Sequence, residues 1–374
     1  MPLRAIAAVN LAAIERNVAT LRGGLAADAE LCAVVKADGY GHGAVPTARA
    51  AIAGGASALA VATADEAGEL RAAGIEGPVL VLGAVSAQEL PVALAARAEL
   101  VAWDPAFVDQ IVRTADDDVP VRVHVKLDTG MGRLGTRDAA EALSLAETIA
   151  AAPSLELAGA MTHFATSDDD PEFMAMQLAA FEPFAMELRG RWPGLVLHAA
   201  NSGATLREPR THLSLVRCGI AIYGCDPMHE DPTPRGLEPA LELRSYVAAV
   251  KAVATGESAG YGRRFIARAD TWLATVPIGY ADGIRRALSN NCDVLIGGGR
   301  YPVVGTVSMD NITVDLGPQP AVVVGDRVTI IGPDGDQRQT AEDLARRIGT
   351  INYEVLTGIS RRVPRAYHRD GGPA

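Results

Sequence analysis

The sequence predicts a (β/α)8 barrel followed by a mainly antiparallel β-domain, and three observations carry that expectation. Up to about residue 223, eight short runs rich in branched apolar residues are mostly followed by stretches of amphipathic helical pattern. Near-continuous apolar strands of this kind belong to parallel sheets covered by helices on both faces. At 224–239 the chain reads GCDPMHEDPTPRGLEP, a proline-rich break, and beyond it the hydrophobic period drops to two. Eight strand–helix units favour a closed barrel over an open doubly wound sheet. The expected division is a barrel at 10–230 and a β-domain at 231–374.

The strands are expected in LCAVVK (31–36), SALAVA (57–62), PVLVL (78–82), AELVAW (98–103), VRVHVKL (121–127), LAGAMT (157–162), LVLHA (195–199) and LSLVRCGIAIYG (213–224). Helical patterns lie between them, as in AVPTARAAIAGG, ADEAGELRAAG (64–74), DPAFVDQIVRT (104–114) and DAAEALSLAETIAA (138–151). Past the break, RSYVAAVKAV and TWLATVPIG alternate as strands, and GGGR and GPDGD mark turns. IGGGRYPVV runs into a strand pattern, so its glycines read as a hairpin turn rather than a phosphate loop. One late helix is expected from Thr340, where Thr340 and Asp343 take the places of a capping box.

Composition narrows the function. A chain of 374 residues with 49% hydrophobic and 21% charged residues is ordinary globular material. A formal net charge of −11 argues against nucleic acid or an anionic membrane surface as partner. No apolar stretch reaches the roughly 18 residues of a spanning helix. The start, MPLRAIAAVNLAAIERN, lacks a signal-peptide layout, because charges and Asn10 interrupt it, so a cytoplasmic protein is expected. Cys32, Cys218, Cys225 and Cys292 include no CxxC pair, and neither a metal site nor a disulfide framework is expected.

The chain has three lysines, Lys36, Lys126 and Lys251, against 31 arginines. Arginine codon preference accounts for most of such a bias, yet lysine also does what arginine cannot, since a buried amine can lose its proton and act as a nucleophile. Catalytic groups of a barrel sit at the C-terminal ends of its strands. That rule gathers Lys36 after the first strand, Lys126 at the end of the fifth, His163 after the sixth, Asn201 and Ser202 after the seventh, and Arg217 in the eighth. Each has an ordinary structural use: a solvated lysine, a core histidine, a helix cap at Ser202, an ion pair for Arg217. Together they place an amine, a base, hydroxyl donors and a fixed positive charge around one mouth.

Several segments resemble bacterial alanine racemases: AVVKADGYGHG (33–43), HVKLDTGMGRLG (124–135), THF (162–164), HAANSGAT (198–205), VRCGIAIYG (216–224), GYGRRF (260–265), PIGYADG (277–283), VGTVSMDNITVD (304–315) and NYEVLTGISRRVPRAY (352–367). They keep the family's order over nearly the whole chain. The resemblance implies a barrel plus β-domain in which residues 1–9 join the β-domain, and pyridoxal 5'-phosphate as cofactor. On this pattern Lys36 is the Schiff-base lysine. Tyr40, Ser202, Tyr353 and the amides of Gly219 and Ile220 hold the phosphate, and His163 and Asn201 lie in the cofactor site. Arg217 faces the pyridine nitrogen, supported by His163 and His198. A positive charge there disfavours protonation of the ring and favours simple return of a proton.

The same resemblance implies racemisation of alanine through an aldimine by two bases, Lys36 on one face and Tyr261 on the other, supplying D-alanine for peptidoglycan. Arg133, Met309 and Asp310 bind substrate, Lys126 is the lysine carbamylated in many members, and Asp168, Tyr280 and Tyr353 line an access channel. Tyr261, Met309 and Asp310 come from the partner of a head-to-tail homodimer. Two departures stand out: Asp38-Gly39 replaces a common Asn-Ala, and Thr306 replaces a common arginine. Other readings are a racemase of wider scope, acting on serine or basic amino acids, a barrel-type decarboxylase, and a non-catalytic pyridoxal-phosphate-binding protein. A decarboxylase needs an acidic residue where this chain has Arg217, and the β-domain motifs count against a binding protein.

Overall fold

The computed structural model describes residues 3–116 and 119–374. Packing divides the chain into two units. One comprises Ile14–Gly39 and Ala44–Ile222, and the other comprises the residues through Ala13, Tyr40–Gly43 and Tyr223–Ala374. Residues 1 and 2 of the segment expected in the β-domain lie outside the described residues.

The first unit is a barrel of eight parallel strands: β1 (Glu30–Val34), β2 (Ala58–Val61), β3 (Val79–Val81), β4 (Glu99–Ala102), β5 (Val121–Lys126), β6 (Leu155–Met161), β7 (Val196–His198) and β8 (Leu215–Cys218). Each strand pairs with the next in sequence up to β7, and β8 pairs with β1. Backbone bonds from Ser214 N to Leu197 O (2.9 Å) and from Arg217 N to Ala200 O (3.0 Å) close the cylinder. Every strand overlaps its predicted run, though β1 begins one residue early at Glu30 and β6 two residues early at Leu155; the run at 213–224 is a strand only over Leu215–Cys218, and Ile220–Tyr223 is a 3-10 turn. The turn is buried on all sides, so its apolar residues carry no periodicity that separates it from a strand.

Capping side chains start the helices between strands. Thr63 and Glu66 form a reciprocal capping box before Ala64–Ala72. Asp104 accepts from Ala106 N before Pro105–Thr114, and Asp138 accepts from Ala140 N and Glu141 N before Ala139–Ala151. The helix after β1 is Ala44–Ala53, and its Ala48 and Ala51 are fully buried.

The second unit is built on an eleven-stranded, mainly antiparallel sheet. Its parallel pair joins Ala5–Asn10 to Arg365–Arg369. Strands Leu241–Tyr246 and Ile312–Gly317 bury alternate residues, the pattern their period-two sequence predicts. GGGR turns the hairpin between Asp293–Ile296 and Gly299–Val304, and GPDGD the one between Arg327–Asp334 and Gln337–Gln339. Thr340 caps Ala341–Ile348 in a capping box with Asp343 as expected. A further short helix, Asn352–Thr357, follows where only one late helix is predicted. It begins without a side-chain cap, so it lacks the signal that marks its neighbour.

Candidate active site

Lys36 follows β1, and the four residues after it turn the backbone the wrong way for L-amino acids. Ala37 (φ 53°), Asp38 (φ 53°), Gly39 (φ 60°) and Tyr40 (φ 52°) are all left-handed, a conformation costing roughly 1–2 kcal/mol at each non-glycine residue. Side chains hold the turn in place. Glu66 accepts from Ala37 N at 2.6 Å while its other oxygen accepts from Ala62 N at 2.7 Å, and Asp38 accepts from Ala44 N at 3.0 Å. Gly41 has φ +82°, and a Cβ there would lie 2.6 Å from the carbonyl oxygen of Leu356. Lys36 itself is half-buried, and burial together with the positive charge of Arg133 pushes its amine below the ordinary lysine range against the pull of Glu66.

The other barrel candidates stand at the strand ends where the barrel rule puts them. Lys126 ends β5 and is 3% exposed, and burial with the charges of Arg217 and Arg133 brings its pKa down to about 8. Arg133 is exposed on the loop that follows, which Asp128 organises by accepting from the amides of Gly130, Met131 and Gly132. Burial opposes the Asp128 charge, but these amides and Arg137 outweigh it and hold the carboxyl below its usual range. His163 follows β6, and burial and the neighbouring Arg217 push its pKa well down, so the ring is neutral. Half-buried Asp168 accepts from Arg207 through its backbone carbonyl at 2.9 Å.

Asn201, not Ser202, caps the helix Ser202–Arg207, accepting from Ala204 N at 3.1 Å. Ser202 is the first helical residue, and its Oγ accepts from Gly219 N at 3.0 Å and Ala221 N at 3.4 Å. That pairing brings Ser202, Gly219 and Ile220 to one place. Arg217 lies inside the barrel on β8, 2% exposed. Its Nη1 donates to His198 Nδ1 (2.8 Å), and its Nη2 reaches the carbonyls of Thr162 and Ala199 (2.9 Å each) and His163 Nδ1 (3.2 Å). The third nitrogen, Nε, is buried without a hydrogen-bond partner. Burial lowers its pKa to about 10, which leaves it charged at neutral pH.

In the second unit Tyr40 lies with Tyr353, ring centroids 5.9 Å apart, and stacks on Tyr223 at 5.0 Å. Tyr261 is 74% exposed on a short turn, and its carbonyl accepts from the Thr306 hydroxyl at 2.8 Å. Met309 is 51% exposed, and Asp310 pairs with Arg362 at 2.7 Å. Exposed Tyr280 is laid beside them, its amide donating to Ser308 O (3.0 Å) and that of Ala281 to Met309 O (3.1 Å).

The comparisons with known proteins follow this division. A family model described as "Alanine racemase, N-terminal domain" matches residues 9–227, and one described as "Alanine racemase, C-terminal domain" matches 240–367. The chain belongs to the alanine racemase family. It is 40% identical to an alanine racemase of Nostoc over 97% of this chain and 95% of that one, and 42% identical to one of Treponema pallidum over 91% and 93%. Among solved structures, alanine racemase from D-cycloserine-producing Streptomyces lavendulae is 38% identical, with a TM-score of 0.92 over 98% of both chains. That of Bacillus anthracis with bound L-Ala-P is 38% identical, with a TM-score of 0.91 over 99% of this chain and 96% of that one.

Other groups in this alanine racemase family barrel were not singled out by sequence. Glu66 braces the turn after Lys36 from the next strand–helix unit, and its only signal is the Thr63-x-x-Glu66 capping pattern. Glu99 and His124 are buried polar residues inside apolar strand runs, a signal in themselves, since a charge in such a run demands a partner. Among the described residues no helix is long and apolar enough to cross a membrane, and no group of three or more His, Cys, Asp or Glu is placed to hold a metal ion.

Proposed function

We propose that this chain interconverts L-alanine and D-alanine with pyridoxal 5'-phosphate, and that the unused Nε of buried Arg217 is the observation that carries the reading. Its other two nitrogens are engaged with carbonyls and neutral histidines, so Nε is the one nitrogen without a partner, left to donate to an acceptor brought in from outside. A pyridine nitrogen is such an acceptor, and the residues present fit the cofactor on that ground. Lys36 would tether it through its amine, Arg217 would donate from Nε to its ring nitrogen, and Ser202, Gly219, Ile220, Tyr40 and Tyr353 would take its phosphate, with His163 and Asn201 alongside. Pyridoxal phosphate, when bound, supplies the electron sink that acidifies the Cα–H bond of an amino acid.

The chain's own residues handle the proton. The lowered pKa of Lys36 lets Nζ take a proton from Cα on one face. Tyr261 Oη serves the opposite face and returns a proton there, which inverts the centre. Arg133 holds the substrate carboxylate, with Met309 and Asp310 closing the pocket and Asp168, Tyr280 and Tyr353 lining the way in. The Lys126 amine, deprotonated in a substantial fraction near pH 8, adds to carbon dioxide and loses a proton to become a carbamate, an anionic acceptor for Arg133. Tyr261, Met309 and Asp310 serve the partner subunit of a head-to-tail homodimer, a role their exposure supports. The enzyme works in the cytoplasm and supplies D-alanine for peptidoglycan.

Purified protein incubated with L-alanine alone or D-alanine alone, with the circular dichroism of the amino acid followed, should converge on the racemate from both sides. Lys36→Ala should abolish the change. Faster racemisation of serine, lysine or arginine than of alanine would move the assignment to a broader racemase.

A further inference from the structure

Arginine only donates hydrogen bonds, and that fact fixes a line of protons through the barrel. Arg217 Nη1 lies 2.8 Å from His198 Nδ1, so that nitrogen is an acceptor without a proton. A neutral imidazole with a bare Nδ1 carries its proton on Nε2, and His198 Nε2 lies 2.9 Å from His124 Nδ1. His124 therefore accepts at Nδ1 and is protonated at Nε2, which lies 2.8 Å from Oε2 of Glu99. All donors point one way, from guanidinium to carboxylate, through two neutral rings. A proton on either Nδ1 would set two donors face to face. The line needs a terminal group that accepts without donating, and an ionised carboxylate is that group.

Three features show that the line is built into the fold. Burial opposes ionisation of Glu99, but the bonds from His124 and Arg122 outweigh it and hold its carboxyl below the usual range. Arg122 Nε anchors the other oxygen at 2.7 Å. His124 is on β5 and His198 on β7, with β6 between them, and β6 places Gly159 at the crossing. A Cβ at Gly159 would lie 2.5 Å from His124 Nδ1, so glycine is what lets the rings meet, edge-on with centroids 4.9 Å apart.

We propose that Glu99 and His124 are positioning residues for Arg217: they accept the Nε2–H that Arg217 imposes on His198, so that this ring is fixed from both ends, holds the guanidinium by Nη1 and leaves Nε turned away from this network. This deepens the functional reading above and rests on it for the role of Nε. The test is 15N NMR of the holoprotein labelled at its histidines, with resonances assigned by substitution. In the unsubstituted chain His124 and His198 should both be neutral and protonated on Nε2. An Nδ1–H tautomer or an imidazolium at either ring overturns the proposal, with no variant needed. In Glu99→Gln, whose amide donates as well as accepts, His198 should become a mixture of tautomers and the absorbance band of bound pyridoxal phosphate should shift. There kcat should fall about tenfold while KM for alanine stays within about twofold, in line with losses on removing groups that orient another ligand. Glu99→Asp, which keeps the charge, should restore the Nε2–H tautomer and most of the rate. An unaltered His198 signal in Glu99→Gln, or equal losses in both variants, overturns the positioning role. Absence of alanine racemisation by the unsubstituted chain would count against the functional reading alone, because the tautomers are read without substrate.

Discussion

Lys126 shows how a single buried amine ties stability to pH. Burial and the charges of Arg217 and Arg133 bring its pKa to about 8, whereas the unfolded chain leaves it near the ordinary 10.5. Between those values the unfolded state binds more protons, so stability rises with pH across that window. Below about pH 8 both states are charged and the folded state bears the full cost of the buried cation. Lys126→Met should therefore stabilise the protein at pH 7 in carbon-dioxide-free buffer, and the gain should shrink as pH climbs from 8 towards 10. Melting temperatures of both chains across that range test this, and a gain independent of pH would contradict the cause. Carbamylated Lys126 removes the cation altogether, so added bicarbonate should narrow the difference at pH 7. The sequence marked this lysine through its rarity and its place at a strand end. Its altered pKa depends on Arg217 and Arg133, which come close only after β5 and β8 are in the same barrel.

At the scale of an element, the turn after Lys36 is held by neighbours rather than by its own preferences. Ala37 and Tyr40 have no intrinsic reason to be left-handed, and the turn-forming pair Asp38-Gly39 between them does not announce four such residues in a row. Glu66 supplies the restraint from another strand–helix unit, accepting from Ala37, Ala62 and Thr63 amides. Glu66→Ala should cost about 1 kcal/mol in urea unfolding, the expected size for orphaning the part-buried amide of Ala62 while the exposed amides of Ala37 and Thr63 turn to water. It should also weaken retention of pyridoxal phosphate on dialysis. A variant with unchanged stability and retention would show that the turn is held elsewhere. The strands and capped helices were legible because apolar period and cap residues are local signals, as at Thr63, Asp104 and Thr340. The left-handed turn, the 3-10 segment Ile220–Tyr223 and the helix Asn352–Thr357 were not, since each is fixed by what packs against it. The motif residues were legible through the family resemblance, whereas the partners of Arg217 needed three strands, β6, β7 and β8, laid side by side.

The whole molecule is where the two proposed bases part company: Lys36 lies in the barrel unit and Tyr261 in the other. If the bases at each site come from different subunits, Lys36→Ala and Tyr261→Phe should each be nearly inactive, and refolding an equal mixture should restore activity. Random pairing makes half the dimers mixed, and each mixed dimer has one complete site, so the rescue should approach roughly a quarter of the unsubstituted activity. No rescue with mixed dimers shown to form would rule out the shared site. The second unit is also the one that the chain completes last. Its strand Ala5–Asn10 pairs with Leu241–Tyr246 and with Arg365–Arg369, near opposite ends of the sequence. On a ribosome adding roughly 5–20 residues per second, Ala5–Asn10 emerges tens of seconds before its parallel partner exists. Both its edges are unpaired until Leu241–Tyr246 is made, and one edge stays open until Arg365–Arg369 follows, which leaves an apolar strand of the kind that binds other chains in the nascent chain. Each barrel strand meets the next in sequence as it appears, and only the closing pair of β8 with β1 spans the unit, so translation speed and chaperone supply should govern the yield of the sheet unit more than that of the barrel.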